Sequence, residues 1–232
     1  MRFDRAVFVH GGMQGSWCWE RVLPVVQGDA VAVDLPGRPG AAPIPATLES
    51  WADTVIEASG SCSVVVAHSL GGLAALAAAS RAPERIAGIV FVAAVIPPRG
   101  RCYWDLLSKP HNMVRQMLRI GEPEVTMTRL AGRLQLCNGL NRVDRDRILS
   151  QLVPEPGAVL GTPVDYELAD SLDLTYVHTN RDRMVRPSQQ RRYVGNLPDR
   201  TRRLRLDCGH SVSYARPLEL ARIVDRLLLN DP

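Results

Sequence analysis

Lysine is nearly missing from this chain: 27 of its 28 basic residues are arginine, and Lys109 stands alone. No Gly-Lys-Ser/Thr occurs, and the turn at Ser69 has neither three spaced glycines nor a Gly-Lys pair, which argues against a phosphate-cradling loop there. The five cysteines (Cys18, Cys62, Cys102, Cys137, Cys208) are odd in number and scattered, and none forms a C-x-x-C pair. That pattern argues against a disulfide framework and against zinc, and the residues read as buried thiols. There is also no H-x-x-x-H and no acidic cluster, so no metal and no cofactor is expected. Apolar runs stay well short of the roughly 20 residues that span a bilayer, which excludes a membrane helix. Neither internal repeats nor low-complexity tracts interrupt the 232 residues.

What is present fits one globular domain carrying a modest insertion, since 46% of residues are hydrophobic and the mean hydropathy is −0.06. The first apolar strand starts within a few residues of Met1, leaving no room for a secretory leader, so the expected location is cytoplasmic. Net charge is +4. The densest basic stretch, Arg191-Arg192 and Arg200 to Arg205, is interleaved with Asp199 and Asp207. It reads as a solvated face, with an acidic carrier protein as the lesser alternative and nucleic acid excluded as a partner.

The chain is organised around Ser63-Val64-Val65-Val66-Ala67-His68-Ser69-Leu70-Gly71-Gly72 and the Ala-rich run that follows it. A β-branched run turning directly into helix formers predicts a buried strand, a sharp corner and a helix, with Ser69 on the corner. Ala67 and Gly71, two residues to either side, are small enough to let strand and helix pass, as a nucleophile elbow requires. Ala67 replaces the glycine of the usual G-x-S-x-G.

Around this unit, strands are expected at 5–9, 30–33, 87–92, 172–178 and 201–206, six in all with the elbow strand. Helices are expected after Ser16 (carrying Trp17, Trp19, Val22, Leu23 and Val26), from Thr47 to near Gly60, over 188–195 and over 217–229. Alternating strands and helices imply an α/β fold, with a mostly parallel six-stranded sheet covered by helices on both faces. The alternation breaks between Pro98 and about Asp165, where helical periodicity appears at 103–107, 113–120 and 143–152. Residues 97–165 therefore read as a lid inserted into a core of 1–96 and 166–232.

A serine hydroxyl needs a base, and the base needs an acid to fix its tautomer. Of five histidines, His10 is expected to brace its loop, His68 to point away from Ser69, and His111 to lie in the lid. His178 ends the strand before the acidic loop, so His210, in a loop after the last strand, is the expected base. Asp182, in the loop after the preceding strand, is the expected acid; Asp173 lies at the wrong end of its strand, and Asp207 is too close to His210. Gly12 and Leu70 are the expected N–H donors to an oxyanion. Asp34 is read as structural.

Taken together these residues resemble the α/β-hydrolase superfamily, and within it the plant methylesterase and hydroxynitrile lyase group with its bacterial relatives. Val9-His10-Gly11-Gly12 with Gly15-Ser16-Trp17-Cys18-Trp19 is similar to that group's H-G-A-x-x-G-x-W-x-W signature. Leu152-Val153-Pro154-Glu155-Pro156 resembles its lid exit, Thr179-Asn180-Arg181-Asp182 its acid loop, and Gly209-His210 with Arg216-Pro217-Leu218-Glu219-Leu220 its C-terminal block. The resemblance implies a triad of Ser69, Asp182 and His210 with oxyanion donors Gly12 and Leu70. Its cyanohydrin-cleaving members carry a threonine in the oxyanion loop and a lysine beside the histidine, where this chain has Gly11 and Ser211. The implied activity is accordingly hydrolysis of a small, largely apolar carboxylic ester through an acyl-enzyme. A thioesterase, lyase or cyclase using the same triad, or a ligand receptor that keeps only the fold, are the alternatives.

Overall fold

In the computed structural model, which describes residues 3–107 and 124–229, six strands form one sheet in the order β2-β1-β3-β4-β7-β8. They are β1 (Arg5–Val9), β2 (Ala30–Val33), β3 (Ser63–His68), β4 (Ile86–Val92), β7 (Asp173–Thr179) and β8 (Arg202–Leu206). Every pairing in this sheet is parallel. Side chains alternate across it and fill two cores. Val7, Val9, Val65, Ala67, Ile89, Phe91 and Tyr176 face one side with α1 (Leu48–Ala58) and α2 (Gly71–Arg81). Phe8, Val64, Val66, Val90, Val92 and Val177 face the other with Trp19 and the closing helix. Burial on both faces explains why these strands read as continuous apolar runs.

The chain leaves β1 toward β2 on one side and returns at β3 on the other, so the loops after β1 and β3 diverge at the same rim. Such a switch point at the carboxyl ends of parallel strands opens a crevice. The Ser69 corner and the loop from His10 to Gly15 border it.

Several expectations are corrected. No α-helix follows Ser16; the chain makes two 3₁₀ turns, Ser16–Trp19 and Leu23–Val25. Pro24 lacks the N–H a helix would need there, and Ser16 gives its N–H and hydroxyl to Asp34 (2.6 and 2.8 Å) rather than capping a helix. The insertion between β4 and β7 also contains a two-stranded antiparallel sheet, β5 (Glu124–Val125) with β6 (Glu155–Pro156), which the sequence pattern did not suggest. Between those strands lie α3 (Arg129–Gln135), likewise unexpected, and α4 (Arg142–Gln151), close to the predicted 143–152. The helical stretch expected at 103–107 is a 3₁₀ turn, Tyr103–Leu106, and a short α5 (Gly157–Gly161) follows β6. The stretch expected at 113–120 and His111 lie outside the described residues. The chain closes with α6 (Pro187–Val194), α7 (Val212–Ala215) and the amphipathic α8 (Pro217–Leu229). No helix among the described residues is long and apolar enough to cross a membrane.

Candidate active site

Ser69 has φ +50°, a left-handed conformation in a residue that is not glycine. The strain is held from both directions: Ser69 N donates to Val92 O (3.1 Å), and Ser69 O accepts from Gly72 N (3.1 Å) and Val95 N (2.9 Å). A β-carbon at Gly71 would lie 2.6 Å from His10 O and 3.0 Å from Val9 O, so the backbone of β1 passes where a side chain would be. Gly71 is required for this reason, whereas Ala67, fully buried, keeps its methyl in the core. The corner turns the Ser69 hydroxyl into a cavity of about 220 Å³ shared with Gly12, Leu70 and His210.

His210 and Asp182 meet at this rim although they arrive on separate loops. His210 Nδ1 donates to Asp182 Oδ2 at 2.7 Å, with both side chains buried. The other carboxylate oxygen accepts from the Met184 and Val185 amides, each at 2.8 Å, and Oδ2 also accepts from Thr179 Oγ1 at 2.8 Å. Burial alone would raise this carboxyl, but the His210 imidazole and these donors outweigh it and leave Asp182 below the usual carboxylate range. The acid is therefore an anion at neutral pH, and it fixes the proton of His210 on Nδ1. Nε2 is then the ring position left to take a proton. Among the described residues nothing hydrogen-bonds to Ser69 Oγ, and the N–H groups of Gly12 and Leu70 donate to no protein group.

The remaining expected residues are also placed. His10 donates from Nδ1 to Gly11 O (2.9 Å) and accepts from Leu35 N on Nε2 (3.2 Å), so it braces the loop. Burial, with the Arg38 charge second, pushes its ring down to about 3. His68 turns away from the cavity and lies 3.0 Å through Nε2 from His210 O. Burial, then the neighbouring His210, pushes its ring down to about 3 as well, so it is neutral and donates to that carbonyl. Gln14 Oε1 lies 3.3 Å from its Nδ1. His178 lies beside Arg205, Arg203 and Arg191, away from the cavity lining. Asp207 is exposed and pairs with Arg181.

Three residues escaped the sequence reading. Gln190, fully buried on α6, accepts from Thr179 N (2.9 Å) and donates to Val185 O (2.6 Å), tying the acid loop at both ends. Arg38 and Glu155 form a buried ion pair at 2.7 Å behind the loop after β1. A proline-flanked glutamate was visible in the sequence, but nothing local marked its partner 117 positions away. Most of the remaining cavity wall is apolar, with Val95, Val125, Leu136, Leu160 and Met184 among its residues, while Thr126 and Gln189 add polar groups.

The chain is 35% identical over 106 residues to a probable esterase, PIR7A, of Oryza sativa, a stretch covering 41% of this chain and only 40% of that protein. To Methylesterase 9 of Arabidopsis thaliana it is 28% identical over 248 aligned positions, covering 96% of both. Among solved structures, an extracellular alpha/beta-hydrolase from a Paenibacillus species, described as sharing structural and functional homology with tobacco salicylic acid binding protein 2, superposes with a TM-score of 0.82. It is 17% identical, over 96% of this chain and 98% of that one, and so speaks for the fold. The model of the alpha/beta hydrolase family matches residues 6–223, nearly the whole chain, and the protein belongs to that family.

Proposed function

We propose that this protein is a serine carboxylesterase acting on a small, largely apolar ester. The observation that carries the reading is the convergence on one cavity of a strained serine, an imidazole anchored to a buried carboxylate, and two amides without partners among the described residues. In this reading His210 Nε2 removes the proton of Ser69 as the hydroxyl attacks the ester carbonyl. The Gly12 and Leu70 amides receive the negative charge that develops on the carbonyl oxygen. Collapse expels the alcohol, which takes the proton from His210. Water, deprotonated by the same ring, then releases the acid and frees Ser69. No cofactor enters any step. The apolar lining favours an uncharged acyl or alcohol group, and the segment 97–165 is read as the lid over it. Ser211 beside the histidine gives its hydroxyl to Leu136 O (2.8 Å), so cyanide released by a lyase reaction would find no cation there.

The test is labelling by a fluorophosphonate together with hydrolysis of p-nitrophenyl acetate and butyrate. Wild type should be labelled at Ser69, and Ser69→Ala should lose both labelling and about 10⁴-fold or more of kcat. A Ser69→Ala protein that hydrolyses these esters at the wild-type rate would sink the reading.

A further inference from the structure

A buried charged pair stands behind the cavity wall, and the mechanism above leaves it without a role. Glu155 is 0% exposed and Arg38 1% in their side chains. Arg38 Nη2 donates to both carboxylate oxygens at 2.7 Å, and its Nε donates to Gln14 O at 2.6 Å. Glu155 Oε2 also accepts from the Met13 amide, and Val153 N donates to Met13 O at 3.0 Å. The segment leaving the insertion therefore grips the residues directly after Gly12. Met13 sits at φ +60°, a conformation that persists only where neighbours enforce it.

The carboxylate is also close to the reacting region. A β-carbon at Gly12 would lie 3.1 Å from Glu155 Oε2, and Glu155 lines the same cavity as Ser69. Negative charge there would oppose negative charge on a substrate oxygen held by the Gly12 amide. Among the described residues the groups facing Glu155 are Arg38 and Tyr103, whose phenol burial keeps protonated. Of these two, Arg38 carries the charge that offsets it.

We propose that Arg38 and Glu155 are one positioning unit: Glu155 fixes the Met13 amide and through it the Gly12 donor, while Arg38 cancels the charge Glu155 would otherwise set beside the oxyanion. This rests on the serine esterase reading. Burial pushes the Glu155 carboxyl up even with Arg38 present, and removing Arg38 takes away the charge that opposes that rise.

The experiment uses p-nitrophenyl acetate with Arg38→Met, Glu155→Gln, Glu155→Leu and the double variant Arg38→Met/Glu155→Gln. In Arg38→Met, kcat should fall about 100-fold with KM changed less than about threefold, and the residual rate should drop further as pH rises and Glu155 ionises. The double variant should recover about tenfold and lose that pH dependence. A double variant no faster than Arg38→Met, or an Arg38→Met profile of wild-type shape, overturns the proposal. Should melting curves show Arg38→Met unfolded, the Glu155 variants decide. Glutamine keeps an acceptor for Met13 and should lose about tenfold in kcat, leucine about 100-fold; equal losses overturn it. Fluorophosphonate labelling of wild type runs alongside. An unlabelled Ser69 overturns the esterase reading and this proposal with it, whereas a labelled Ser69 without rescue removes only the role of the pair.

Discussion

Ser69 and its neighbour Gly71 show how little freedom the corner leaves. Adding one methyl at Gly71 would drive it against two carbonyl oxygens of β1 and its loop, atoms that cannot turn aside. Gly71→Ala should therefore cost about 2 to 4 kcal/mol and lower Tm by roughly 5 to 15 °C, measurable by calorimetry. Asp182 invites a different substitution. Asp182→Asn keeps the shape but offers His210 Nδ1 an amide, which favours the other tautomer. On the esterase reading kcat should fall about 10³- to 10⁴-fold with little change in stability, checked by steady-state kinetics beside a melt. That Ser69, Asp182 and His210 come to one rim was legible in the sequence because each sits in a short motif whose local geometry follows from its neighbours. Glu155 and Arg38 were not, because a buried ion pair leaves no mark on either residue's neighbourhood; only the fold brings them together.

Elements were readable where the local signals agreed. Thr47 at the start of α1 accepts from Ser50 N at 3.0 Å while Ser50 Oγ accepts from Thr47 N at 3.0 Å, a reciprocal cap. Thr47→Ala should cost about 1 kcal/mol in urea unfolding, with catalysis unaffected. Where apolar spacing pointed one way and chemistry another, chemistry prevailed. The spacing of Trp17, Trp19, Val22 and Val26 is helical, yet Pro24 and the claim of Asp34 on Ser16 break the helix into two tight turns. The insertion was harder to read because its pieces find their partners at a distance. Residues 136 and 137 and Ile148 pack on Tyr214 of α7, and the two strands of the small sheet are separated by two helices.

For the molecule as a whole, the buried histidines govern behaviour in acid. His10 and His68, both pushed down to about 3, stay neutral in the folded chain but take up protons near pH 6.5 once unfolded. Their contribution is fully present above pH 6.5 and is lost as pH falls toward 3, and Asp182 adds a loss in the same direction below the ordinary carboxylate range. Glu155, with a raised carboxyl, works in the opposite sense. Between pH 6.5 and pH 5 the two histidines should each remove about 2 kcal/mol, lowering Tm by roughly 8 to 16 °C in a fluorimetric melt. A Tm unchanged over that interval would show that the rings are not held neutral.

The sheet's outer border carries a further meaning. On β8, which among the described residues pairs only with β7, Arg202, Arg203 and Arg205 are all exposed. A second molecule laying its own copy of this strand alongside, about 5 Å away, would bring two rows of guanidinium groups together. Their mutual repulsion guards an open hydrogen-bonding rim against fibrous growth, and concentrated salt or a polyanion would weaken that guard.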